Sequence, residues 1–152
     1  MIDWLQIVKE SPMDWLLEET NPSARYFTLF NILNKKEDDP QVVAAKNAIP
    51  ESDLIKKILQ KQNPIGYWEE PANPYLPKYK SSYWQIMTLS QLGMDKTDER
   101  VRNACEHIFQ FQLPDGGFSS HTETTASREY DQLLKKEREL PSRDEWVDSI
   151  VF

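Results

Sequence analysis

The 152-residue sequence has little of several features that mark whole classes of protein. It contains one cysteine, Cys105, which excludes an internal disulfide and fits a reducing cytoplasm. It has no run of about eighteen apolar residues, so we expect no membrane-spanning helix. The opening residues Met1-Ile2-Asp3-Trp4 lack the basic n-region and apolar stretch of a signal peptide. These absences together predict a cytoplasmic location.

Positive charge is also scarce, because 18 Lys and Arg face 25 Asp and Glu and the net charge is −7. Nucleic acids and anionic membranes both attract cationic protein surfaces. We therefore expect neither nucleic acid nor an anionic membrane as a partner. Aromatic residues, by contrast, are abundant, with five Trp, six Tyr and six Phe. This supply leaves room for an aromatic-lined groove in addition to a core.

The common catalytic and phosphate-binding motifs are missing as well. There is no Walker loop, no Gly-rich dinucleotide turn and no Ser-His-Asp order, and only His107 and His121 are available as histidine bases. Cys105 and His107 stand two positions apart and so lie on opposite faces of a helix, where they cannot easily share a zinc ion. We expect no catalytic residue of these kinds, no cofactor and no metal.

What is present is a repeat. The segment 62–68, QNPIGYW, recurs fifty residues later as 112–118, QLPDGGF, with Gln, Pro, Gly and a closing aromatic at matching positions. An apolar, helix-like stretch precedes each copy. Pro two residues after Gln62 or Gln112 predicts that a helix ends there, and Gly supplies the turn that follows. Alternatively, the two copies are coincidental joints between a helix, a turn and an aromatic residue.

The pattern helix-Gln-x-x-x-Gly-x-Trp resembles the Gln–Trp repeat of the squalene and terpene cyclases, over roughly residues 20–120. Their α/α-toroid fold is shared with the protein prenyltransferase β subunits. The resemblance implies that the matching residues stabilise helix ends and are not catalytic: Gln62, Gly66, Trp68, Gln112, Gly116 and Phe118. The chain departs from the family at Phe118, which replaces the closing Trp. It also departs five residues before each Gln, where Lys57 and His107 replace an aromatic.

Helix signals run along the whole chain. Asn21-Pro22 and Asp39-Pro40 each place a capping side chain before a proline, as Ser11-Pro12 does with Asp14 as an acidic capping-box partner. The signals predict helices near 2–9, 12–19, 22–34 and 40–49, from Ser52 or Asp53 to Gln62, from Ser81 or Ser82 to Gly93, and from Thr97 or Asp98 to Gln112. No alternating apolar run indicates a strand. We predict an all-α fold, a helical-hairpin array resembling a partial α/α toroid.

The sequence changes character after Ser120, which predicts a repeat domain over 1–121 and an acidic helical tail over 122–152. In this tail, Tyr130 and its neighbours can seat one helix, and Asp131 with Lys135 forms a favourable i,i+4 pair. Ser142-Arg143-Asp144-Glu145 is a capping-box pattern that predicts a second helix.

The segment 63–80 is the longest predicted loop, with four prolines that exclude regular helix. A loop of this length is either functional or extensively packed. Aromatic residues follow one another across the loop and into the next helix, and we interpret them as a candidate binding face: Tyr75, Tyr79, Tyr83 and Trp84. A second copy of the chain, the tail over 122–152, or an apolar ligand or protein partner can cover such a face. The tail or a second copy is favoured over a ligand, because Trp146, Ile150 and Phe152 otherwise have nothing to bury them.

Three functions remain open. The family's cyclases use Asp-x-Asp-Asp as the acid, and the nearest match, Lys36-Glu37-Asp38-Asp39, lacks the first Asp and fits a helix cap instead. This favours a non-catalytic ligand- or protein-binding domain over a fragment or subunit of an isoprenoid cyclase or prenyltransferase. The third hypothesis is an α-solenoid, because Asn21-Pro22-Ser23-Ala24-Arg25 and Asp39-Pro40-Gln41-Val42 resemble the openings of HEAT repeats. Recurrence of the Gln–aromatic unit favours the toroid-like hypotheses over HEAT.

Overall fold

The computed structural model describes residues 11–121, 123–136 and 139–151, and over these ranges the chain is helical with no β-strand. The all-α prediction is therefore confirmed, while the toroid arrangement and the predicted helix near 2–9, which lies outside the described residues, stay predictions. The described α-helices are α1 Met13–Leu16, α2 Pro22–Phe27, α3 Pro40–Ala48, α4 Asp53–Leu59, α5 Ser82–Gln91, α6 Glu99–Phe109, α7 Glu123–Leu134 and α8 Arg143–Val151. Within the described residues, none of them is both long and apolar enough to cross a bilayer.

The chain divides into two compact units. The first contains the described part of Met1–Lys57 together with Gln91–Met94, and the second contains Ile58–Ser90 and the described part of Asp95–Phe152. The sequence-based boundary between residues 121 and 122 falls inside the second unit. Whether 122–152 folds as a separate domain stays a prediction.

The first unit is built on α2 and α3, which pack together around Leu29, Val42 and Ala45. Both helices begin where the sequence indicated. The Asn21 side chain accepts a hydrogen bond from the Ala24 amide at 3.3 Å, and Asp39 accepts one from the Gln41 amide at 2.8 Å. After Phe27, α2 continues as a π-helical turn over Thr28–Ile32, so the helix predicted to reach residue 34 widens in its last turn.

The segment 91–94 belongs to the first unit because its backbone is held by side chains of α2 and α3. Ser23 Oγ donates to the Leu92 carbonyl at 2.7 Å, and Lys46 Nζ donates to the Gly93 carbonyl at 2.6 Å. Gly93 has φ +90°, and a Cβ there would lie 2.9 Å from the Ile49 side chain. Glycine at this position therefore allows both the turn and the close approach.

In the second unit, α7 and α8 pack against each other around Ala126 and Tyr130, which are buried. The Tyr130 hydroxyl donates to the Pro141 carbonyl at 2.7 Å, and the Tyr130 ring lies 6.4 Å from that of Trp146. The predicted capping box at the start of α8 is present, because Ser142 and Glu145 bond each other's backbone amides at 2.9 and 3.4 Å.

Candidate functional site

The first copy of the repeat forms a tight turn between α4 and the long loop. The Asn63 amide donates to the Tyr67 carbonyl at 2.8 Å, and Gln62 Nε2 donates to the Gly66 carbonyl at 3.3 Å. Gly66 takes φ +101°, a backbone conformation that favours glycine. Trp68 closes the turn, and its indole N–H donates to the carbonyl of Ile58, near the end of α4, at 2.9 Å.

The second copy, after α6, repeats the hydrogen bonds within the turn. The Leu113 amide donates to the Gly117 carbonyl at 2.8 Å, and Gln112 Nε2 donates to the Gly116 carbonyl at 3.4 Å. Gly116 has φ +89°. One isolated antiparallel bridge pairs Gln112 with Phe118. The sequence repeat thus corresponds to one backbone conformation built twice.

The closing aromatics of the two copies differ in exposure. Trp68 is 2% exposed, and its backbone amide donates to Ser82 Oγ at 3.1 Å. Phe118 is 45% exposed, and its ring lies 6.2 Å from that of Phe109, the last residue of α6. Both rings lie at the end of the helix before their turn, but only the first is covered.

The long loop 63–80 packs against α5 through its backbone. The Pro74 carbonyl accepts from the Tyr83 amide at 2.9 Å, and the Tyr79 carbonyl accepts from Gln85 Nε2 at 2.7 Å. Asn73 Oδ1 accepts from the Leu76 amide at 2.9 Å, and the Leu76–Pro77 peptide bond is cis. The loop is therefore held in one conformation beside α5, and it presents part of an apolar groove.

This groove has a volume of about 350 Å³, is open to the surface and has an entirely apolar lining. Side chains from the loop, α5, α6 and the second repeat turn line it: Tyr75, Tyr83, Trp84, Ile86, Met87, Ile108 and Phe118. Three of the four residues of the predicted binding face are among them. Tyr79, the fourth, does not line the groove. It is 74% exposed, and its ring lies 4.8 Å from that of Trp84.

The polar tips of two groove aromatics are bonded to the protein backbone. Trp84 donates its indole N–H to the Tyr75 carbonyl at 2.9 Å, and Tyr83 donates its hydroxyl to the Ser119 carbonyl at 2.7 Å. Burial raises the pKa of Tyr83 to about 12, so this hydroxyl stays protonated. The rings of Trp84 and Tyr83 are therefore left to face the groove as apolar surfaces.

Sequence reasoning missed four lining residues: Ile86, Met87, Ile108 and, as a groove residue, Phe118. Ile86 and Met87 stand three positions after Tyr83 and Trp84 on α5, so helical periodicity places them beside those aromatics. Ile108 and Phe118 come from a different helix and from the second turn. Their arrival at the groove depends on how α5 and α6 pack, which no local pattern encodes.

Asp39 belongs to the stretch 36–39, the nearest match to the Asp-x-Asp-Asp motif of the cyclases, and it has a structural role. Its carboxylate caps α3 and pairs with Lys35 Nζ at 3.0 Å. The hydrogen bond from the Gln41 amide, followed by the Lys35 contact, lowers the pKa of Asp39. A group that donates a proton needs the opposite shift.

Cys105 and His107 are both on α6 but in different surroundings. Burial raises the pKa of the Cys105 thiol, and Glu106 adds to this. His107 is 5% exposed, and its ring lies 5.4 Å from that of Tyr67 and 5.6 Å from that of Phe111. Its Nε2 is buried without a hydrogen-bond partner among the described residues. Over the same residues, no three His, Cys, Asp or Glu side chains are grouped closely enough to hold a metal ion.

A second cleft, of about 370 Å³, has a lining that is partly polar and partly apolar. Its ionisable residues are Glu70, His121, Arg128 and Glu129. His121 Nε2 lies 2.9 Å from a Glu129 carboxylate oxygen, and its Nδ1 lies 2.8 Å from Ser120 Oγ. The polar groups of His121 are thus used within the protein, and the apolar groove is the stronger candidate for a ligand site.

Comparison of this chain with family models, with characterised proteins and with solved structures gives no match.

Proposed function

We propose that this protein is a non-catalytic binding domain whose groove takes a neutral, apolar small ligand. The observation that carries the proposal is the groove itself, about 350 Å³ of open space with an entirely apolar lining. Small-molecule sites in proteins are concave, mostly apolar and about 300–1,000 Å³ in volume. The groove is at the small end of this range.

The lining also limits the chemistry of the ligand. Tyr83 and Trp84 use their polar tips on backbone carbonyls, so neither offers its hydrogen-bonding group to a ligand without losing a bond. A charged ligand would lose its hydration with no compensating partner in this lining. The favoured ligand is therefore a neutral hydrocarbon-like or aromatic molecule.

Two observations favour a ligand in the groove over two alternatives, the tail as the cover of the groove and a cyclase fragment as the function. The lining comes from residues 75–118, and no described residue of the predicted tail 122–152 contributes to it. The carboxylate of Asp39 is occupied in capping α3, and its lowered pKa does not suit it to protonate a substrate. A fragment of an isoprenoid cyclase is therefore the less favoured alternative.

The test is titration of the full chain with N-phenyl-1-naphthylamine, a neutral apolar fluorophore that brightens in apolar surroundings. We expect saturable binding that Met87→Glu weakens at least about tenfold, because the new carboxylate would be desolvated by the ligand. Met87 is 48% exposed, so the free protein tolerates this charge.

Leu54→Glu is the matched control, because Leu54 is 53% exposed on α4 and does not line the groove. It should leave binding of the fluorophore unchanged. Equal affinity for wild type and Met87→Glu would disprove the groove as the site. Light scattering completes the test: a dimer that Met87→Glu converts to monomer would show that a second copy covers the groove instead.

A further inference from the structure

The two repeat turns share one backbone conformation, but α6 covers only the first of them. A Cβ built on Gly66 would lie 2.2 Å from the carbonyl oxygen of Asn103 and 2.9 Å from the amide of Ala104. Gln62 Nε2 also reaches across and donates to the Arg100 carbonyl of α6 at 2.9 Å. The turn 62–68 is thus a seat for a helix, built from a glycine that allows close approach and a glutamine amide that bonds the helix backbone.

The turn 112–118 presents the same two groups at the surface. Gly116 is exposed where Gly66 is buried, and no described residue other than its chain neighbours comes within 4 Å of a Cβ built on it. Gln112 is exposed, and its Nε2 donates to the Gly116 carbonyl but makes no second bond within the described chain. The second turn therefore has the groups that hold a helix, without a described helix seated on them.

The first turn shows which kind of helix fits. In α6, an N-cap residue, Asp98, is followed by Val101 at the third helical position and Ala104 at the sixth, and both are buried. The small side chain at the sixth position stands where the helix backbone comes closest to Gly66. A helix of the same pattern is the natural complement of the second turn.

No free helix of the described chain has this pattern. Helix α3 does, with Asp39 as its N-cap, but its Val42 and Ala45 are already buried in the core of the first unit. At the same positions α8 has Glu145 and Asp148, which are exposed acids. Residues 1–10 contain neither alanine nor glycine, so they lack the pattern as well, and we look to another protein for the helix.

We propose that the turn 112–118 is a docking site for an α-helix of a different protein, one with an apolar residue at its third helical position and alanine or glycine at its sixth. Gly116 would lie against the backbone of that helix, and Gln112 would donate to a carbonyl in its first turn. Gln112 and Gly116 do not line the apolar groove, whereas Phe118, the last residue of the turn, does.

The probe for this site is a fluorescent synthetic peptide that copies residues 97–111. A hydrocarbon staple between positions 102 and 106 holds it helical, since both are exposed on α6 and stand four residues apart. Anisotropy is measured on the full chain. We expect saturable binding that Gln112→Ala weakens about fivefold, the effect of one lost hydrogen bond. Gly116→Val should abolish it, with circular dichroism confirming that both variants stay folded.

Matched controls separate this site from the first turn and from the groove. Gln62→Ala and Met87→Glu should both leave the affinity unchanged. A peptide with Val101→Asp and Ala104→Asp should not bind. The proposal is overturned if the stapled peptide does not bind, if the doubly substituted peptide binds equally, or if Gln62→Ala and not Gln112→Ala weakens binding. If light scattering shows a dimer that Gln112→Ala converts to a monomer, the surface binds a second copy of the chain, and the proposal is again overturned.

Discussion

Replacing Trp68 and Phe118 by alanine compares the same structural position when it is covered and when it is open. A buried Trp removes about 200 Å² from water, which at about 25 cal/mol per Å² corresponds to about 5 kcal/mol. Trp68 is 2% exposed and also bonds the Ile58 carbonyl through its indole N–H. We expect Trp68→Ala to lower the free energy of unfolding of the second unit by about 3–5 kcal/mol.

Phe118 is smaller and 45% exposed, so Phe118→Ala should cost only about 1–2 kcal/mol. The assay is urea denaturation followed by circular dichroism, because five Trp residues would confuse a fluorescence signal. The change in the free energy of unfolding is obtained from the shift in the urea midpoint, provided that the dependence of this free energy on urea concentration stays the same. Trp68→Phe keeps most of the ring and isolates the indole hydrogen bond, with an expected cost nearer 1 kcal/mol for the bond itself.

Equal costs for Trp68→Ala and Phe118→Ala would refute the reasoning. That result would mean either that Phe118 is covered in solution or that the ring of Trp68 contributes little to the second unit. The size of the equal costs separates the two explanations: about 3–5 kcal/mol for both indicates a covered Phe118, and about 1–2 kcal/mol for both indicates that Trp68 contributes little.

Three further predictions concern the same unit. Gly66→Ala should destabilise it much more than Gly116→Ala in urea denaturation, because only the first new Cβ meets backbone, that of Asn103 at 2.2 Å, whereas both suffer the cost of positive φ. Burial lowers the pKa of His107 below 6.5, so as the pH falls the unfolded chain takes up this proton at a higher pH than the folded chain does. The free energy of unfolding should therefore fall as the pH drops below 6.5, and His107→Gln should remove this part of the slope between pH 7 and 5. Asp98→Ala should lower the free energy of unfolding by about 1 kcal/mol at pH 7, since the Asp98 carboxylate caps α6. The hydrogen bond from Arg100 lowers the pKa of Asp98 in the folded chain, so this contribution is present at neutral pH and is lost in acid, once the carboxylate is protonated.

Local chemistry was readable from the sequence. Asp39 and Asp98 cap the helices they precede, and Ser142 forms its capping box, because each bond joins residues within three positions of one another. The same holds for the turns after Gln62 and Gln112, where Pro and Gly restrict the backbone on the spot. Such interactions depend on neighbours in the chain, and these are visible in a single sequence.

Two expectations were wrong, the length of the first described helix and the partner of Asp131. The helix predicted over 12–19 spans only Met13–Leu16, although Ser11 Oγ accepts a hydrogen bond from the Met13 amide at 3.3 Å, as the capping pattern indicated. The carboxylate of Asp131 pairs with Arg143 of α8, where the i,i+4 pattern had suggested Lys135. Arg143 is twelve positions away, and its approach follows from the packing of α7 on α8.

The sequence by itself determined the helical class, most helix starts and a turn built twice in the same conformation. Only the tertiary structure decided what each turn contacts. Trp68 and Phe118 occupy the same position in the repeat, yet one is buried and the other is exposed and lines a groove. The physical reason is that burial depends on which element packs over a residue. Helix α6 lies on Gly66, whereas a Cβ built on Gly116 meets no described residue beyond its chain neighbours, and the repeat itself does not encode that difference.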